Sequence, residues 1–142
     1  MKKFFMLLAL IVLTIAGYTY SKTEGVTNKG LQISYMQLGI GSISGTETFD
    51  KQRLRYDITI SNAEKTELKR ESVEIVLTDW IERQQLENKI TEITFDNESI
   101  IIKGYVIFDT KGLNKEQIIS HEPFLDGVSV VTDAGEKIFI KH

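Results

Sequence analysis

Residues Leu54 to Ser61 read LRYDITIS, apolar and polar in strict alternation. Successive side chains on a strand point to opposite faces, so Leu54, Tyr56, Ile58 and Ile60 share one face and Arg55, Asp57, Thr59 and Ser61 the other. A segment greasy on one side and wet on the other is a half-buried antiparallel strand. The period recurs downstream in SVEIVLTD, with Val73, Ile75 and Leu77 inward. Upstream, LQISYMQL opens the domain with Leu31, Ile33 and Tyr35 on one face.

Further along, Ile90–Phe95 and Ile100–Phe108 read as a hairpin joined by Asp96-Asn97-Glu98-Ser99, whose side chains favour turns. Ile100, Ile101 and Ile102 are apolar on both faces, as suits a central strand. GVSVVTDAGEKIFIK makes a second hairpin, bent at Asp133-Ala134-Gly135. One helix is well specified in GLNKEQIISHEP. Asn114 caps it, Gln117 returns the hydrogen bond, Leu113 and Ile118 form a staple, and Pro123 discourages continuation. Asp79 to Lys89 is ambiguous: Asp79 and Glu82 have capping spacing, yet the segment equally extends the strand before it. There is no space for the crossover helices of a parallel sheet. The expected fold is all-β, an antiparallel sandwich of six to eight strands with one short connecting helix, over residues 31–142.

Ahead of that domain, Met1-Lys2-Lys3 precedes FFMLLALIVLTIAGYTY, a run without charge from Phe4 to Tyr20. Residues 1–21 are expected to be a signal peptide or a membrane anchor. Tyr18 and Tyr20 suit the outer interface, and Lys2 and Lys3 stay inside. Ile15-Ala16-Gly17 matches the approach to a lipid-attachment site, but Tyr18 stands where the lipid-bearing Cys would be. Residues 22–30 form a polar tether. The domain is therefore placed outside the cell membrane on a single span, or secreted after cleavage.

The chain of 142 residues has no Cys, which removes disulfides, thiolate zinc sites and cysteine nucleophiles together. Beyond residue 20 it carries 20 acidic against 15 basic residues, both signs interspersed. That balance argues against nucleic acid and against an anionic membrane surface, leaving the N-terminal segment as the only membrane contact.

Motifs for chemistry are sparse. Gly39, Gly41 and Gly45 in LGIGSISG have the wrong spacing for a phosphate loop, and a strand rather than a helix follows; a bulge, tight turn or sheet-to-sheet crossing is expected there. His121 and His142 lack metal-ligand spacing, and no nucleophile elbow accompanies them. Asp96-Asn97-Glu98 is better explained by turn chemistry than by calcium. Trp80 is expected in the core or at a half-buried edge. No catalytic residue, cofactor site or metal site is assigned.

The leader MKKFFMLLALIVL, the strand YDITISN, and GYVIFDTKGLNKEQI with FLDGVSVVTDAG near the end together resemble the small exported immunoglobulin-like β-sandwich proteins of Gram-positive bacteria. The resemblance implies an immunoglobulin-like fold and brings no catalytic residues. The expected function is a non-enzymatic binding module for a protein or cell-envelope partner, with the edge strands Leu31–Leu38 or Ile138–Lys141 adding to a partner's sheet. The alternative is a small-ligand carrier or sensor with a pocket between the sheets.

Overall fold

The computed structural model describes residues 28–43 and 49–142. The segment 1–21, most of the tether and Gly45 lie outside the described residues. Among the described residues seven strands form two antiparallel sheets: β1 (Leu31–Ser42), β2 (Lys51–Asn62), β3 (Glu74–Leu77), β4 (Gln85–Phe95), β5 (Ser99–Asp109), β6 (Leu125–Val131) and β7 (Lys137–Lys141). One sheet has the order β1-β2-β5-β4, the other β3-β6-β7.

The alternation that defines β2 places Leu54, Tyr56, Ile58 and Ile60 in the core, all nearly inaccessible to solvent. Ile100, Ile102, Val106 and Phe108 of β5 continue that layer, and Ile75, Leu77, Val128, Val130, Ile138 and Ile140 pack on it from the second sheet. β5 is the central partner of β2 and β4, as its triple isoleucine suggests. Ile100 and Ile102 point inward, while Ile101 lies on the outer face between Thr59 and Thr94.

The sheets differ in length, and the difference governs the surface. Strands of the first sheet run 11 or 12 residues, those of the second only four to seven. A twelve-residue strand is about 40 Å long, so the small sheet covers only part of the large one. Connecting segments cover more of it. The helix α1 (Asp79–Gln84) buries Ile81, and α2 (Lys115–Ile119) buries Ile118, with Phe124 beside it.

Helix α2 carries the expected capping box: the Gln117 N–H donates to Asn114 Oδ1, and the Asn114 N–H to Gln117 Oε1, both at 2.9 Å. Leu113 and Ile118 both join the core. The ambiguous segment at 79–89 divides, a helical turn and a half followed by β4, so the described residues hold two short α-helices rather than one, besides a single 3-10 turn at Arg70–Ser72. Asp79 is not its cap. Thr78 holds that position, and its hydroxyl donates to the Phe124 carbonyl at 3.3 Å instead.

Two expectations for β1 are corrected. The register slips between Ile33 and Tyr35, so Tyr35 pairs with Thr59 on the outer face instead of following Leu31 and Ile33 inward. An extra residue in one strand reverses the parity of everything beyond it. Met36, Leu38 and Ile40 therefore take the inward row, opposite Ile58, Tyr56 and Leu54. Gly39 and Gly41 make no bend; they sit in regular pairing with Arg55 and Arg53.

The domain's entry is fixed at one pole. Thr66 Oγ1 donates to the Lys29 carbonyl at 3.0 Å, and Lys29 forms an ion pair with Glu136 in the β6–β7 turn. Gly135 in that turn adopts φ 89°, a conformation that disfavours a side chain. Among the described residues no helix is long and apolar enough to cross a membrane.

Candidate functional site

At the pole opposite the entry, the inward row of β1 runs out of cover. Leu31 is sealed, but Leu38 and Ile40 are each 37% exposed. Phe49 and Ile119 stand nearby at 55% and 44%. These side chains rim a cavity of about 450 Å³ between β1 and α2, floored by Leu54, Ile118 and Phe124. A second hollow continues along the seam past Met36, Leu38, Pro123 and His142. Together they form an apolar slot where the large sheet overhangs the small one. Among the described residues β1 pairs with a strand on one side only, so the slot runs beside a sheet edge.

The slot's walls are held from behind. The Thr110 N–H donates to the Asp50 carbonyl at 2.9 Å, and its hydroxyl to that of Phe49, which sets Phe49 on the rim. Gln52, buried at the inner end of β2, donates through Nε2 to the Lys51 carbonyl at 3.1 Å. The capping box orients α2, so that Ile118 faces the floor while Ile119 faces out. Lys115 and Glu122 are the charged groups on the lining.

Residues singled out in the sequence fall elsewhere. Trp80 is half-buried, edge-on to Phe108 at 5.9 Å between centroids. His121 stacks flat on the Trp80 ring at 4.1 Å. Among the described residues no three His, Cys, Asp or Glu side chains gather as a metal site would require. Asp96 caps its own turn, its carboxylate accepting from the Asn97 N–H at 2.7 Å. The slot residues Leu38, Ile40 and Ile119 were missed as a group. Met36, Leu38 and Ile40 do alternate in the sequence, but the upstream bulge hides which face they join.

Two ring hydroxyls have raised pKa values. Burial pushes that of Tyr56 up, and the hydroxyl donates to the Lys89 carbonyl of β4 at 3.2 Å. Tyr105 is raised by its 2.8 Å hydrogen bond to the Glu87 carboxylate. Tyr56 fastens strands, and Tyr105 lies on the outer face of the large sheet.

The fold and the slot define an antiparallel β-sandwich with an uncovered apolar edge. Comparison of the chain with protein-family models, with curated proteins and with solved structures yields no match.

Proposed function

We propose that the chain is an immunoglobulin-like, non-enzymatic binding module displayed outside the cell membrane, and that its slot takes an extended apolar segment of a partner protein. The strand orders β1-β2-β5-β4 and β3-β6-β7 correspond to the A-B-E-D and C-F-G sheets of constant-type immunoglobulin domains. Lacking Cys, the domain holds its two sheets together without a disulfide, through its apolar core.

The observation that carries the proposal is the pair Leu38 and Ile40 on the edge strand β1 with Phe49 and Ile119 beside them, all four apolar and exposed. A strand edge offers main-chain hydrogen bonds, and alternate side chains of an added segment would fill the apolar seam. That combination suits a peptide in β conformation. The tether enters at the other pole, nine residues of β1 away from Ile40, roughly 30 Å at strand rise. On a membrane-anchored protein the slot therefore faces away from the bilayer, toward an extracytoplasmic partner.

The test is a photo-cross-linking residue at Ile119 of the full-length protein in intact cells. A discrete protein adduct, mapped to an extended apolar stretch and lost in Ile40→Asp, is the expected result. No adduct, or one indifferent to Ile40→Asp, removes the reading. A cavity of about 450 Å³ also falls in the range that holds small molecules. Native mass spectrometry of the purified protein decides for that carrier function if a small apolar molecule stays bound and Ile40→Asp releases it.

A further inference from the structure

The outer face of the same stretch of β1 is bare. Gly39 and Gly41 point outward opposite Arg55 and Arg53, and a Cβ added at either glycine meets nothing within 4 Å. Neither glycine puts a side chain over the two arginines. On the other flank, Arg53 lies over the Tyr105 ring, 4.9 Å from its centroid. Such stacking holds a guanidinium in place while leaving its N–H groups to donate.

The nearby carboxylates are already engaged. Asp57 pairs with Lys103 at 3.9 Å, and Glu87 accepts from the Tyr105 hydroxyl. Among the described residues no carboxylate lies within ion-pair distance of Arg53 or Arg55. Arg53 Nε is also buried without a hydrogen-bond partner. A buried donor left unmatched is costly, and for a charged group more so. Gln37 adds to the donors: its Oε1 accepts from the Tyr35 hydroxyl at 2.7 Å, leaving the amide N–H groups to donate. Gln37, Gly39, Arg53, Arg55, Asp57 and Tyr105 line a trough of about 460 Å³, with Lys103 and Thr91 at its far side. In a chain of net charge −3, three cationic side chains, Arg53, Arg55 and Lys103, here face a single lining carboxylate, that of Asp57, which is paired with Lys103.

We infer that this trough binds an oxyanion, the phosphate or carboxylate group of a ligand, through Arg53 and Arg55, with Gly39 and Gly41 kept free of side chains so that it can approach. Guanidinium groups match planar and tetrahedral oxyanions in a way that ammonium groups do not. The stretch fails as a nucleotide-type phosphate loop on its glycine spacing, and the next described element is the strand β2. Its glycines serve by omission instead, leaving the side chains of the neighbouring strand to make the contact. The trough and the apolar slot lie on opposite faces of β1, so either can fail without the other.

The test uses full-length protein labelled with 15N at arginine, titrated with inorganic phosphate and separately with acetate, ionic strength being held constant with chloride. Saturable shifts of the Arg53 and Arg55 Nε signals with either oxyanion are expected, and the stronger of the two names the ligand's chemistry. Arg55→Gln is expected to weaken binding by at least about fivefold. Gly41→Val, which fills the strip from an open position, should weaken it similarly with the melting temperature unchanged or slightly raised. Arg53→Lys and Arg55→Lys should restore little, since charge without the fork geometry is not enough. Shifts that never saturate with either anion overturn the inference, as does saturable binding indifferent to both Arg55→Gln and Gly41→Val.

Discussion

Tyr56 and Gly104 form one structural unit. They face each other across β2 and β5, and a Cβ on Gly104 would collide with both the Tyr56 ring and the Lys89 carbonyl. The missing side chain is what lets the tyrosine lie flat and reach a third strand. Neither backbone nor a buried ring can yield easily, so Gly104→Ala should destabilise the domain by about 1–3 kcal/mol, read as a lower urea midpoint. Tyr56→Phe removes one hydrogen bond, at a cost of about 1 kcal/mol. It also changes the response to alkali. The folded state keeps the Tyr56 proton beyond pH ~10, where the unfolded chain releases it. Stability from this group is complete below that pH and falls as pH rises through and above it. Urea midpoints measured across alkaline pH should fall less steeply in Tyr56→Phe, by up to about one proton's worth of slope.

Among the elements, α2 and β1 make the sharpest contrast. The five-residue α2 is too short to persist by propensity, and depends on its capping box and on Ile118 in the core. Asn114→Ala should cost about 1 kcal/mol in chemical denaturation, because it leaves a first-turn N–H without its acceptor. Ile119→Ser, one position from the buried Ile118 but facing solvent, should change stability by less than about 0.5 kcal/mol. Its effect belongs to the slot. The far half of β1 obeys the same logic: Ile40 should tolerate a polar substitution, while Ile102→Ala in β5 should cost about 2–5 kcal/mol. Comparing these denaturation midpoints separates residues that hold the sandwich from residues that line its opening.

For the molecule as a whole, the mismatch between the two sheets sets the gradient of local stability. Amides of β2 and β5, paired on both sides and buried inward, should resist hydrogen exchange longest. Those of the far half of β1 and of the start of β4, each at an edge and largely exposed, should exchange first. Uniform protection along β1 would mean that its far end is covered. Much of this architecture is legible in the chain. The alternation from Leu54 to Ser61, the triple isoleucine of the central strand, the Asp96–Ser99 turn and the Asn114 cap each encode their element locally, because burial period and turn chemistry act over a few residues. The face taken by Met36, Leu38 and Ile40 was not legible, since one extra residue near Ser34 reverses every side chain after it. Nor was the role of the glycines. Bare in sequence, Gly39 and Gly41 acquire meaning only when pairing sets them beside Arg55 and Arg53, residues 12 to 16 positions away. Local pattern alone marks most of the strands, most of their apolar faces and the turns. Only the tertiary structure decided the register, the overhang of the long sheet past the short one and the side chains brought together there, because these depend on contacts between distant segments that no local pattern records.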